Sequence, residues 1–369
     1  MKKIVIVTDW IYGGGSEMVV LELHKMFPDA PIYTSYCSEQ WRQKLDNKVV
    51  TGYLQRTPFR QLRKFLPLLR QWWFARLDLA NFDVIISVTG NGEAKFVHGG
   101  NRADGKPLHI CYCNTPVHFY WRHYEAYLRN PGFKPAWLAR FGLKLLVVPL
   151  KKRDYKAAQN VDVFLANSTH IKQDIKKFYN RESKVVFPPV DFKKFAQLSS
   201  ATTPSPLTSS PSFVTHGRLV PMKRVDIIIE ACNKLGLPLS VIGKGPEYDN
   251  LAKIAGPTVI MKGFVSDQDL PRELARHSTY IFASYEDFGI APIEAMAAGL
   301  PVIAYNAGGA RDYVIPGKTG EFFDIQSADS LMQALAKLNP STYGTKCIKD
   351  HASAFSVQNF SEQINELIK

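Results

Sequence analysis

Two glutamates eight residues apart and two cations five apart are the residues whose types and spacing can do chemistry in this chain. The glutamates, Glu286 and Glu294, stand in SYEDFGIAPIEAMAAGLPVIAYNAGG, and the cations, Arg218 and Lys223, in HGRLVPMKRVD. On one continuous helix an eight-residue spacing would leave the carboxylates roughly 80° apart on one face. Pro292 argues against that helix: proline suits a first helical turn and pushes the residue before it out of the α region. The spacing therefore predicts a helix beginning near Pro292 and ending at Gly299, with Glu286 in a loop and Glu294 in the first turn. Two carboxylates flanking a sugar would fit a glycosidase. A glutamate tied to a helix start has its pKa lowered, which is poor tuning for a general acid. Without a ligand, Glu294 is a dipole partner and Glu286 a solvated loop acid. Arg218 and Lys223 offer a guanidinium fork and a point charge, suited to a diphosphate; the plain alternative is a solvated basic loop.

The elements that position these groups follow from an alternation of short apolar strands with longer helical patterns. Strands are expected at 3–7, 83–88, 109–113, 161–167, 212–217, 237–243, 258–263, 279–284 and 300–305. The expected fold class is α/β, with parallel sheets flanked by helices. At 369 residues the chain exceeds the ~250 to 300 at which one core stops growing, so two domains are expected. The stretch AQLSSATTPSPLTSSPS (196–212) has the Ser, Thr and Pro content of a linker. It separates a domain over 1–195 from one over 213–350, and a last helix over 351–369 can belong to either. Ligands sit at the carboxyl ends of such strands. The conspicuous loops GGGSE, NTPVHFYW, GRLVPMKR, GKGPE, GFVSD and YEDFG all follow strands, which implies a cleft with a row of loops on each side.

Composition narrows the partners. Lys+Arg 46 against Asp+Glu 33 gives +13, which attracts anions without choosing among nucleotides, nucleic acid and acidic lipid. No stacking platform or recognition motif supports nucleic acid. Five scattered cysteines without a CxxC pair read as reduced thiols of a cytosolic protein. No His, Cys and carboxylate set has metal-ligand spacing, so no metal is expected. DQD at 267–269 is read as part of a cap opened by Ser266, not as a metal site. PGKTG lacks a P-loop glycine, since Asp312 stands in its place. In GGGSE, Gly14 and Gly15 let the backbone approach an anion at a helix start, or simply make a tight turn; GxGxxG fails at Met18. Residues 56–76 carry six basic and no acidic residues among Phe, Leu and a Trp pair. They read equally as a segment for an anionic membrane surface or as a domain helix broken at Pro67 with its apolar side in the core.

Taken in order, these loops resemble glycosyltransferase family 4, the retaining GT-B enzymes. The resemblance runs from about Lys2 to Phe323 and rests on GGGSE, GRLVPMKRVD, GKGPEYDNL and EDFGIAPIEAMAAGLPVIAYNAGG, which holds the family's E-x7-E pair. It implies two Rossmann-like, doubly wound domains with a nucleotide-diphospho-sugar held mainly by the C-terminal one. Arg218 and Lys223 would hold the diphosphate. Glu286 with the backbone of Phe288, Gly289 and Ile290 would hold the sugar, Glu294 the ribose, and the backbone near Phe264 and Val265 the base. Gly14 and Gly15 would approach the donor phosphate or the acceptor. HICYCNTPVHFYWR resembles a block of a mannosyltransferase-like branch, with Asn114 where a histidine and His118 where a basic residue are usual; either can hydrogen-bond a sugar hydroxyl. The resemblance implies transfer of a hexose, leaning to mannose from GDP-mannose, onto a lipid-linked or polysaccharide acceptor, without metal or cofactor, by a cytoplasmic protein at the inner face of the membrane. A UDP-sugar donor, a nucleotide-sugar hydrolase or epimerase, and a catalytically silent nucleotide-sugar or nucleic-acid binder remain the alternatives.

Overall fold

The computed structural model describes residues 2–62, 66–98, 105, 107–130, 135–196 and 212–369. The chain divides into two compact units, residues 1–187 with 361–369, and residues 188–360. Residues 188–195, read from the sequence as the end of the first domain, thus group with the second, as do 351–360. The cause is local: Val190 N–H donates to the Phe355 carbonyl at 3.0 Å and the Val190 carbonyl accepts from Val357 N–H at 3.2 Å. Except at its two ends, the expected linker lies outside the described residues.

Among the described residues the first unit holds seven strands: β1 (Ile4–Thr8), β2 (Ile32–Thr34), β3 (Val49–Thr51), β4 (Val84–Thr89), β5 (Leu108–Cys113), β6 (Val163–Ala166) and β7 (Lys184–Val185). All neighbours are parallel, in the order β3-β2-β1-β4-β5-β6-β7. The second unit holds β8 (Phe213–His216), β9 (Leu239–Ile242), β10 (Val259–Gly263), β11 (Thr279–Phe282), β12 (Val302–Tyr305) and β13 (Gly320–Phe323), again all parallel, in the order β10-β9-β8-β11-β12-β13. Every residue of β4, β9 and β11 is buried, as parallel strands covered on both faces require. The order reverses between β1 and β4 in one sheet and between β8 and β11 in the other. A ligand crevice opens at such a switch point, because the loops on either side diverge.

The helix after β11 spans Ile290–Ala298 and stops at Gly299, whose φ of +95° supplies the left-handed cap. Its start corrects one expectation. Gly289, at φ +91°, takes the N-cap position, so Pro292 is the third helical residue and Glu294 the fifth, beyond the first turn. The left-handed glycine, not the proline, sets where the helix begins. Within 56–76, residues 63–65 lie outside the described residues. The Pro67–Ala75 helix opens on its proline and buries Trp73 and Phe74 in the first unit's core, while Leu68 and Trp72 are exposed.

Candidate functional site

The loops after β8 and β11, adjacent strands at the second unit's switch point, bring the predicted charges together. Lys223 Nζ makes an ion pair with Glu286 Oε1, both side chains about one quarter exposed. The ammonium also lies 5.9 Å from the centre of the Phe282 ring. Arg218, exposed on the same loop, lines one cleft with His216, Gly217, Lys223, Phe282 and Ser284. Arg224, in the left-handed region at φ +51°, braces the loop by donating to Asp226 at 3.0 Å. The loops after β8, β9 and β10 are stitched edge to edge: Gly217 N–H donates to Ile242 O, Leu219 N–H to Lys244 O, and Gly243 N–H to Gly263 O, at 2.7 to 3.0 Å.

Glu294 reaches this cleft through a residue the sequence reading missed. His216, the last residue of β8, places Nε2 3.0 Å from Glu294 Oε2, and its side chain is 7% exposed. The Tyr280 hydroxyl donates to the His216 carbonyl at 3.2 Å and fixes that strand end. The available signal was a histidine closing a strand just before a glycine, in the same row of loop-bearing strand ends. Phe288 is buried against Tyr313 and Phe355, so its side chain is core and only its backbone faces the loop. Gly289 and Ile290 head the helix, where N–H groups lack intrahelical acceptors. Phe264 is 69% exposed in the loop after β10 and Val265 is half-buried beside it. Ser266 Oγ accepts from Asp269 N–H and donates to its carboxylate, so this stretch is a local cap. Among the described residues no group of His, Cys, Asp and Glu is placed to hold a metal ion.

In the first unit, Gly14 and Gly15 open the Gly15–Met26 helix. Glu17 Oε1 accepts from the N–H groups of Tyr12 and Gly13 at 3.1 and 3.0 Å, so part of that anion cradle is already filled by a side chain of its own helix. Asn114 follows β5; its carbonyl accepts from Asn167 Nδ2 at 3.0 Å, while its own Nδ2 is buried without a hydrogen-bond partner. An orphan buried donor at a strand's carboxyl end is a ligand-binding candidate, since leaving it unpaired costs about 1 to 3 kcal/mol. His118 packs with Phe119, His123 and Tyr127 in an aromatic cluster.

The switch point between β1 and β4 holds a second group absent from the sequence reading. Asp9 Oδ2 accepts from Gly90, Asn91 and Gly92 N–H, and Oδ1 from Ala94 N–H, at 2.6 to 3.1 Å. Beside it, buried Glu93 accepts from Arg70 Nη2 at 2.6 Å. Burial pushes the Glu93 carboxyl up to about 7 against the opposing pull of Arg70. Burial pushes His109 the other way, down to about 4. Between 4.5 and about 7 folded Glu93 keeps a proton that the unfolded chain releases, so its contribution to stability falls as pH rises. Between about 4 and 6.5 the unfolded chain takes up a proton that folded His109 refuses, so that contribution grows with pH. The two slopes oppose each other where the windows overlap. Glu93→Gln is therefore expected to unmask a rise in unfolding free energy of up to roughly 3 kcal/mol between pH 4 and 6.5 that the parent lacks. Urea titrations across that range measure it, and identical pH profiles for the two proteins would count against the opposed effects of burial on Glu93 and His109.

Two doubly wound parallel sheets, with charged loops at the carboxyl ends of the second, define the GT-B architecture. The chain belongs to glycosyltransferase family 4: the model for Glycosyltransferase Family 4 matches residues 13–194, and that for glycosyl transferases group 1 matches residues 205–342. A GDP-mannose-dependent alpha-(1-6)-phosphatidylinositol monomannoside mannosyltransferase of Mycobacterium tuberculosis is 33% identical over 150 residues, 36% of this chain and 39% of that protein. A D-inositol 3-phosphate glycosyltransferase of Mycolicibacterium gilvum is 27% identical over 229 residues, 55% of this chain and 50% of that one. The matched region thus spans about two fifths to one half of these relatives' lengths. In fold, the chain is similar to Anabaena HepE in complex with UDP-glucose (TM-score 0.69, 18% identity, covering 100% and 99% of the two chains). It is also similar to sucrose-phosphate synthase of Thermosynechococcus elongatus (TM-score 0.71, 17% identity, covering 100% and 98%).

Proposed function

We propose that the protein is a retaining glycosyltransferase that moves a hexose, mannose in the first instance, from GDP-mannose to a lipid-linked or polysaccharide acceptor. The observation that carries this reading is the meeting of Arg218, Lys223 and Glu286 on neighbouring loops at the β8/β11 switch point. A diphosphate there would draw on both cations, and Glu286, released from Lys223, would turn to the sugar hydroxyls with the backbone of Phe288, Gly289 and Ile290. Glu294, oriented by His216, is assigned to the ribose, and the loop at Phe264 and Val265 to the base. The bond from the anomeric carbon to the β-phosphate oxygen breaks, the acceptor oxygen bonds to that carbon on the same face, and its proton passes to the departing phosphate. Negative charge grows on the diphosphate as it leaves, so fixed Arg and Lys stabilise the transition state more than the ground state. Gly14 and Gly15 are assigned to the donor phosphate or the acceptor, and Asn114 and His118 to hydroxyls of the sugar or the acceptor. The mannose, GDP and lipid-acceptor assignments draw support from the Mycobacterium tuberculosis relative named above.

The test is a thermal-shift panel of GDP-, UDP- and ADP-sugars. A ligand that binds only the folded chain raises its melting temperature with concentration, by about 2.7 kcal/mol of stability at a hundredfold excess over Kd. GDP-mannose is expected to give the largest shift. A larger shift with a UDP-sugar would replace the donor, and no shift with any member would remove the reading.

A further inference from the structure

The helix Ala136–Gln159 is apolar on two sides, and only one of them is used. Val147, Leu150, Ala157 and Ala158 pack into the first unit, and Asp154 on the same side is buried, pairing with Lys95 and accepting from Trp121 Nε1 at 2.8 Å. At 100° per residue, Trp137, Phe141, Leu145 and Val148 fall within an arc of about 80° on the far side. These four are 68%, 63%, 65% and 69% exposed. Leu146 extends the band toward the Pro67–Ala75 helix, where it lines an apolar groove with Leu68 and Trp72. An unpartnered apolar band of this length on a solvated surface calls for an occupant.

Charge says which. From 126 to 153 the sequence has seven basic residues and no acidic one. Lys144 and Lys152 are exposed beside the band, Arg76 stands 4.0 Å from the Trp72 ring centre, and Asp154 is neutralised inside the fold. A second copy would set two basic faces against each other, and residues 136–153 offer no acidic residue in return. Among the described residues no helix is long and apolar enough to cross a membrane. We propose that this face, with the exposed edge of the Pro67–Ala75 helix, lies in the headgroup region of an anionic lipid bilayer. Trp137, Phe141, Leu145 and Val148 enter the acyl boundary and the flanking lysines meet the lipid phosphates. The inference concerns the first unit and does not rest on the donor site.

Flotation of the full chain with vesicles of phosphatidylcholine, and of phosphatidylcholine with phosphatidylglycerol, tests it without any sugar nucleotide. The protein is expected to float with the anionic vesicles only, less so at high salt. The double variant Trp137→Ser, Phe141→Ser and, separately, Lys144→Glu with Lys152→Glu are each expected to lower partitioning at least about tenfold. All four side chains are exposed, so the variants' melting temperature should match the parent; Val148→Gln serves in their place if the double variant does not fold. Equal binding to neutral vesicles, undiminished binding by the variants, or a dimer that the aromatic variant dissolves while vesicles recruit nothing would each overturn the proposal.

Discussion

Arg218→Ala is expected to lower sugar transfer by about 10²-fold or more, and Glu286→Ala by a comparable factor, with different signatures. Arg218 lines the cleft as an exposed guanidinium, so its loss removes charge that the departing diphosphate needs. It should weaken GDP binding as well as turnover. Glu286 is engaged with Lys223. Removing it frees the ammonium for phosphate, so the nucleotide alone should bind as well or better while transfer collapses. A pair of measurements, GDP affinity by calorimetry and initial rates with GDP-mannose, separates the two roles. Both side chains reach solvent, so the melting temperature should change little. If both variants transferred sugar at the parent rate, the site assignment would fail outright.

The second large effect is expected from Gly309→Ala, a change of one methyl group. Gly309 has an ordinary right-handed backbone, φ −69°, so alanine suffers no conformational strain there. Space is the obstacle: a Cβ would stand 2.3 Å from Phe288 Cα and 2.5 Å from its carbonyl oxygen. Neither neighbour is a flexible side-chain tip, so one loop must shift. Gly309 N–H donates to the Glu286 carbonyl at 3.0 Å, and the shift would carry Glu286 with it. We expect a loss of about 2 to 4 kcal/mol in urea unfolding, together with a fall in transfer rate. Gly317→Ala is the matched control. Its φ of +73° penalises alanine but its surroundings are open, so about 1 kcal/mol and full activity are expected. A Gly309→Ala protein as stable and active as that control would refute the close-packing argument.

The sequence alone carried the fold class, because strands buried on both faces read as continuous apolar runs bounded by loops. It missed β2, β3 and β7, which are two or three residues long and too short to leave a pattern, and β13, whose two middle residues are only half-buried. Arg218, Lys223 and Glu286 were legible because two cations and a carboxylate stand in loops that follow expected strands, a combination suited to a phosphorylated ligand. His216 and Asp9 were not, since a single polar residue ending a strand looks like an ordinary boundary. Glu294 was found but misplaced within its helix, because a proline in the first turn tolerates more than one starting point and the left-handed Gly289 decided it.

Residue type and strand periodicity, both local quantities, thus determined the two parallel-sheet units and the charged loops of the second. The tertiary structure alone decided which groups touch. Lys223 and Glu286 are 63 residues apart, His216 and Glu294 are 78, and Asp9 meets a loop more than 80 residues away. Only the strand order, with β8 beside β11 and β1 beside β4, brings those partners within hydrogen-bond reach. The exposed band on the Ala136–Gln159 helix has the same origin: its apolar residues fall on two sides, and only packing reveals which of them the core leaves uncovered.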